Sequence, residues 1–394
     1  MSESGLSAAA LLDEIHSESL QTFLSSVRAG TSPPGLTQIP ALDIYLASAV
    51  NSRPTARKWP LNKGDVLEVQ GPAASGKTHF IYHMLVACLL PETRLDMELG
   101  GWGKAAILFD ADGKFSIHRL HELLVSRLKS FLGDDDSMDN GVSTEDLATE
   151  CLQHLHVFRP TSSAQLAITL LNLPHYHATD SRLQRKEIGV LAIDSMSAFY
   201  WRDRYTLEQL RDAADSQTRT NLPPSPLLHV LKGLANFRTS HRPVILMTNW
   251  GLNPIARASG SGESGLPFYR QHLHPFPAPF EPHGAADALF SLEASQRTEE
   301  NATLRDGGHS RLSHSILPLH HHITLHPYPI DPFPASFSLT DALRHENMRA
   351  FLVKKGEIRG SVRTPGPPEA LTGEFTFRIG ERAVLVDPDE EPGS

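Results

Sequence analysis

The chain has 394 residues, room for one large α/β domain or two smaller ones, and its 40% share of hydrophobic residues is ordinary for a globular core. A formal net charge of −9 argues against a broad, nonspecific grip on nucleic acid, so any DNA contact has to come from local basic patches or from partners. Only two cysteines, Cys88 and Cys151, are present, without metal-ligand spacing; no disulfide framework, secretory leader or bilayer-length apolar run is expected, and a reducing compartment fits best.

Residues 7–28 carry Leu11, Leu12, Ile15, Leu20, Phe23, Leu24 and Val27 at helical spacing, and Thr31-Ser32-Pro33-Pro34-Gly35 breaks the pattern. This helix is either a cap on the core or a docking element for a partner, and residues 1–50 read as helix plus linker. The β-branched run Val66-Leu67-Glu68-Val69 predicts a strand, and Phe80–Leu90 is an apolar stretch of helical length. A strand follows at Ala105–Asp110, then a helix through Ile117, Leu120, Leu123, Leu124 and Leu128, a solvated acidic loop at 134–141, a strand at Leu155–Phe158 and a helix at Ala164–Leu173. Ile188–Asp194 and Pro243–Asn249 read as buried strands, with Leu227–Phe237 helical between them. Strands alternating with helices at this spacing mean an α/β core with a mainly parallel sheet flanked by helices, here placed at 51–386.

Within that core, 251–283 reads as a Gly-, Ser- and Pro-rich insertion and 293–320 as low-complexity sequence. Later β-like pieces are expected at Ala288–Leu292, His322–Leu325, Ala350–Val353 and Phe375–Val386, and 387–394 is an acidic tail.

Gly71-Pro72-Ala73-Ala74-Ser75-Gly76-Lys77-Thr78 reads G-x-x-x-x-G-K-T at the junction of the first core strand and its helix. In that context glycines let backbone N–H groups curl around phosphate, Lys77 reaches the β- and γ-phosphates, and Thr78 can ligate Mg²⁺. These eight residues are the expected ATP site. Asp194 ends a buried strand on the edge where ligands bind in open α/β sheets, and is expected to hold Mg²⁺ opposite Thr78. Asp110 and Asp112 end the preceding strand. Either Asp112 orients an attacking water, or both aspartates cap the following helix.

The segments GPAASGKT, ILFDADGKF, GVLAIDSMSAFYWRDR and VILMTNWGL resemble the eukaryotic RecA-like recombinase paralogues, closest to the X-ray repair cross-complementing subgroup in a divergent, extended form. The likeness is good over about 60–250 and loose over 345–386, where Phe377-Arg378-Ile379-Gly380-Glu381 looks like that subgroup's final strands. It implies a RecA-like P-loop NTPase core and a nuclear accessory role in homologous recombination. The partners implied are other recombinase paralogues in a hetero-oligomer, with weak or indirect DNA contact.

Departures from the family pattern are informative. Asp112 stands where the family places a catalytic glutamate; one methylene less shortens its reach by about 1.5 Å. Trp250 replaces a sensing glutamine, and an indole cannot accept a hydrogen bond; packing against the core is its plainer role. The family's polymerisation motif and N-terminal DNA-binding domain are not evident, which favours an accessory subunit over a filament former. A DNA-stimulated ATPase with Asp112 as base is the alternative, and a small-molecule kinase fits worst.

The family's DNA loops fall here at 201–222 and 251–283. Arg202, Arg204, Arg211 and Arg219 of the first are diluted by acids, and the second holds only Arg257 and Arg270. Arg344, Arg349, Lys354, Lys355, Arg359 and Arg363 form a denser patch, read either as a phosphate contact or as a charged strand edge. His314, His320, His321, His322 and His326 lack zinc-module spacing and read as a low-complexity loop.

Overall fold

A computed structural model describes residues 35–51, 60–94, 97–132, 143–184, 186–213, 226–252, 267–269, 317–330, 333–364 and 371–386. The expected helix 7–28, the acidic loop, most of the 251–283 insertion, the piece 288–292, nearly all of the low-complexity stretch and the tail 387–394 lie outside those residues, as do Arg219, Arg257, Arg270 and His314.

In chain order the described elements begin with α1 (Pro40–Asn51), β1 (Val66–Gly71) and α2 (Lys77–Leu89). A small hairpin, β2 (Thr93–Arg94) and β3 (Met97–Glu98), precedes β4 (Ala105–Asp110), α3 (Ile117–Leu132), α4 (Thr144–Leu152), β5 (Leu155–Phe158) and α5 (Ser163–Thr179). Next come β6 (Ile188–Asp194), a 3₁₀ turn at Met196–Phe199, α6 (Tyr200–Ala213), α7 (Pro226–His241) and β7 (Val244–Trp250). The last elements are β8 (His321–Pro327), α8 (Leu339–Lys355), β9 (Glu357–Thr364), β10 (Leu371–Ile379) and β11 (Val384–Leu385).

Nine of these strands form one sheet in the order β11-β10-β9-β8-β1-β7-β6-β4-β5. The run from β8 to β5 is parallel throughout, and β9, β10 and β11 extend it antiparallel. The α/β class with a mainly parallel sheet is therefore as the sequence pattern implied.

Period-two alternation sends neighbouring strand residues into two separate cores. Leu67, Val69, Ala106, Leu108, Val190, Ala192, Val244 and Leu246 face a layer shared with α1, α2, α3 and α4. Val66, Ala105, Ile107, Phe109, Leu191, Ile193, Ile245 and Met247 face the layer under α5 and α7. Because both faces are covered, the strands read as nearly unbroken apolar runs. Helix α2 is buried along Phe80–Leu89, as an all-round apolar helix must be. No described helix is long and apolar enough to cross a membrane.

Four sequence expectations change. The stretch taken as linker before residue 50 contains α1, whose Leu42 and Leu46, with Ile39 just ahead, are buried in the first core; their three- and four-residue spacing was the available signal. Ala350–Val353 is the end of a helix, not a strand. Helix α8 is set by a capping box between Ser338 and Asp341 and closed by the left-handed Gly356, and these local signals outweigh the short β-like run.

The late histidines, read as a low-complexity loop, instead build β8 and its approach: His320, His321, His322 and His326 are all buried. The basic patch is likewise not a strand edge. Its first four members lie on α8, while Arg359 and Arg363 lie on β9, an interior strand between β8 and β10.

Candidate nucleotide site

Strand β1 is central in the sheet and hands the chain to the Gly71–Thr78 loop at its C-terminal end, where β4, β6 and β7 also end. Open parallel sheets bind ligands along this edge. Gly76 has φ of +85°, a conformation that favours glycine, and a Cβ there would lie 3.0 Å from Ile379 and 3.1 Å from Ile358. A Cβ on Gly71 would fall 2.3 Å from Ser75 Oγ and 2.4 Å from the Leu325 carbonyl. Gly71 is thus required by packing against backbone, and Gly76 chiefly by its backbone conformation.

Lys77 opens α2 and folds back over the loop, its ammonium donating to the carbonyls of Gly71 at 2.9 Å and Pro72 at 2.6 Å. Burial lowers its pKa to about 8, against the upward pull of Asp194 and Asp112, while Lys114 lowers it further. Thr78 Oγ1 donates to Asp194 Oδ2 at 2.7 Å, and Thr248 Oγ1 donates to Asp194 Oδ1 at 2.6 Å. Burial raises the Asp194 pKa, partly countered by the two threonine hydroxyls. The hydroxyl–carboxylate pair supplies the hard oxygen donors that magnesium takes from a protein, the remaining positions being left for phosphate and water. The donor set therefore fits a magnesium–nucleotide.

The structure separates the two aspartates of β4. Asp110 Oδ1 accepts the N–H groups of Lys114 at 3.0 Å and Phe115 at 3.3 Å, and its other oxygen faces Arg159 at 3.1 Å. It is the turn-capping residue. Asp112 faces the cleft, with its backbone N–H on the Asp194 carbonyl at 3.1 Å and its carboxylate 3.6 Å from Lys114 Nζ.

The whole Gly71–Thr78 loop, Asp112 and Asp194 border one cleft of about 590 Å³, a size suited to a small-molecule ligand. Lys114, Ser116, Arg119, Ser195 and Trp250 border it too, and motif reading did not single them out as site residues. Trp250 is half-buried rather than packed in the core; its backbone N–H donates to Ser197 Oγ at 2.9 Å, and the Gly251 N–H donates to the Gly71 carbonyl at 2.9 Å. Arg119 donates to the carbonyls of Gly380, at 2.6 Å, and Glu381, so the turn between β10 and β11 is tied to the cleft rim. An arginine on a helix rim carries no motif, which is why sequence reasoning passed over it.

The arginines expected near DNA are engaged internally where they are described. Arg202 donates to the Thr161 carbonyl at 2.6 Å, and Arg204 to Glu208 at 2.9 Å. Arg344 lies 3.7 Å from Asp341, while Lys355 and Arg359 share Glu357 at 2.9 and 3.5 Å.

No family model matches the chain. It is 27% identical to the DNA repair protein XRCC2 homolog of Arabidopsis thaliana over 214 residues, 50% of this chain and 56% of that protein. It is 32% identical to the mouse DNA repair protein XRCC2 over 142 residues, 36% of this chain and 43% of that one. The DNA repair and recombination protein RadA of Methanoculleus marisnigri is 28% identical over 138 residues, 34% of this chain and 36% of its own. The chain spans about half the length of the XRCC2 relatives it matches. The parallel sheet with its loop-bearing central strand agrees with the likeness to RadA. Over the matched region the chain is XRCC2-like, and its core is of the RecA type.

Proposed function

We propose that this protein is an accessory recombinase paralogue in homologous-recombination DNA repair, working in the nucleus within a complex of related paralogues that assists the main strand-exchange recombinase. It binds ATP·Mg²⁺ through the Gly71–Thr78 loop, with Lys77 on the terminal phosphates and Thr78 and Asp194 holding the metal. When bound, the metal would neutralise phosphate charge; Lys77 would turn from the Gly71 and Pro72 carbonyls to the nucleotide, while the Gly251 N–H keeps the start of the loop anchored. The nucleotide serves assembly more than turnover, because the Asp112 carboxylate is short for a water-positioning base and sits beside Lys114.

The observation that carries this reading is the Thr78–Asp194 contact at 2.7 Å between a G-x-x-x-x-G-K-T loop and a strand-end carboxylate, in a chain similar to two XRCC2 proteins. Affinity capture of the native protein, followed by peptide identification, tests the assembly half; recovery of RecA-like paralogues supports it and recovery of metabolic enzymes alone overturns it. Titration of ATP·Mg²⁺ into wild type and Lys77→Ala tests the nucleotide half, which requires that the variant lose binding. A DNA-stimulated ATPase is the second reading, favoured by the place of Asp112 on the cleft wall.

A further inference from the structure

Ser195 follows the strand-end aspartate and borders the same cleft as Lys77 and Thr78. Its residue surface is 2% exposed, and its hydroxyl has no hydrogen-bond partner among the described residues. Buried hydroxyls are seldom left that way, and the exceptions call for an explanation.

Two internal uses of this hydroxyl are closed off. Ser195 stands at the N-cap of the 3₁₀ turn Met196–Phe199, the usual post for a serine, yet its side chain caps nothing; only its carbonyl contributes, accepting the Ala198 N–H at 3.2 Å. The neighbouring carboxylate is already engaged, since Thr78 and Thr248 each donate to one oxygen of Asp194. What the residue borders instead is the cleft.

We propose that Ser195 is a further binding residue of this site, its Oγ hydrogen-bonding a water held by the divalent cation that accompanies the nucleotide. The inference rests on the ATP·Mg²⁺ reading above and deepens it. A cation taken between the Thr78 hydroxyl and the Asp194 carboxylate would be held by those two side chains. Magnesium keeps several waters, and each water needs acceptors from the protein. Asp194 supplies carboxylate oxygens to that shell and Ser195 supplies a hydroxyl one residue on, on the same wall.

The test measures how much magnesium tightens nucleotide binding. ATP is titrated calorimetrically into the full chain, in the complex it is purified with, once in EDTA and once in MgCl₂, for wild type, Ser195→Ala and Thr78→Ala. The ratio of the two Kd values should fall about fivefold to tenfold in Ser195→Ala, the worth of one ordinary hydrogen bond, and should collapse in Thr78→Ala. A wild-type ratio in Ser195→Ala overturns the proposal while leaving the nucleotide reading intact. Equal weakening with and without magnesium also overturns it, since the serine would then be shaping the wall. Absence of ATP binding by wild type overturns both. Should the alanine variant melt early, Ser195→Gly, which also removes the hydroxyl, repeats the measurement.

Discussion

The charge on which a triphosphate contact depends is loosely held. Burial brings the Lys77 pKa down from 10.5 to about 8 in the free protein, although Asp194 and Asp112 pull it upward. Only the ammonium form serves a triphosphate, and bound phosphate charge raises the lysine pKa again. The complex therefore binds more protons than the free protein above pH 8, and affinity has to fall as pH rises through that value. With a pKa of about 8, roughly one free molecule in eleven keeps the proton at pH 9, so the apparent Kd weakens about tenfold relative to neutral pH. Phosphate itself adds little there, since its last proton leaves near pH 6.

Calorimetric titration of ATP·Mg²⁺ at pH 7 and pH 9 reads this directly. Lys77→Arg is the control, because a guanidinium keeps its charge throughout. A wild-type affinity that stays level to pH 9, or an equal loss in Lys77→Arg, would refute the argument. The same shift acts oppositely on folding. The unfolded lysine holds its proton to about pH 10.5, so between pH 8 and pH 10.5 the unfolded chain binds more protons and this group's contribution to stability rises with pH.

Phe80 is fully buried against Phe375 and Phe377, with ring centroids 6.3 and 6.2 Å away, so Phe80→Ala should cost about 3–5 kcal/mol in a denaturant titration. Glu68→Ala strips the acceptor from Asn249, which donates to it at 2.5 Å, and from Gln70 at 3.4 Å; a loss of about 3 kcal/mol in the same assay is expected, with Glu68→Gln milder. Asp112→Ala should leave ATP turnover by the assembled complex within about twofold of wild type, because a carboxylate about 1.5 Å short has already forfeited much of its positioning value. A fall of tenfold or more in that steady-state rate would favour the ATPase reading.

What was legible in the sequence was whatever local chemistry compels. The loop at Gly71–Thr78 is bounded by a β-branched strand and an apolar helix, and the parallel strands reveal themselves as buried runs because both their faces are covered. Asp110 and Asp112 could not be told apart, since their roles depend on Arg159 and Lys114 arriving from elsewhere in the fold. Ser195 was invisible for a related reason: a serine after an aspartate is a common N-cap, and only the folded chain shows that it caps nothing. The histidines of β8 misled because composition treats His and Pro together as loop formers, whereas burial is decided by partners.

Those partners form one connected set across four neighbouring strands. The Trp250 backbone N–H beside the cleft donates to Ser197 Oγ, which donates to Asn249 Oδ1 at 3.1 Å, and Asn249 donates to Glu68. Gln70 donates to the same Glu68 oxygen and meets His322 Nε2 at 3.0 Å, while Arg363 Nε donates to His322 Nδ1 at 3.2 Å. Since Arg363 can only donate, Nδ1 must be the acceptor and Nε2 must carry the proton that reaches Gln70. The ring is thereby fixed as a neutral tautomer, in keeping with a pKa driven well below the usual histidine range by burial and then by Arg363. The pairing register aligns these groups on one face: Glu68 lies opposite His322, Gln70 opposite Asn249, and His322 opposite Arg363. A slip of one residue by β1 would turn Glu68 and Gln70 into the apolar layer beneath α2 and strand every partner. The polar residues that composition marks as loop material are therefore what pins β7, β1, β8 and β9 together, and with them the strand that carries the phosphate loop.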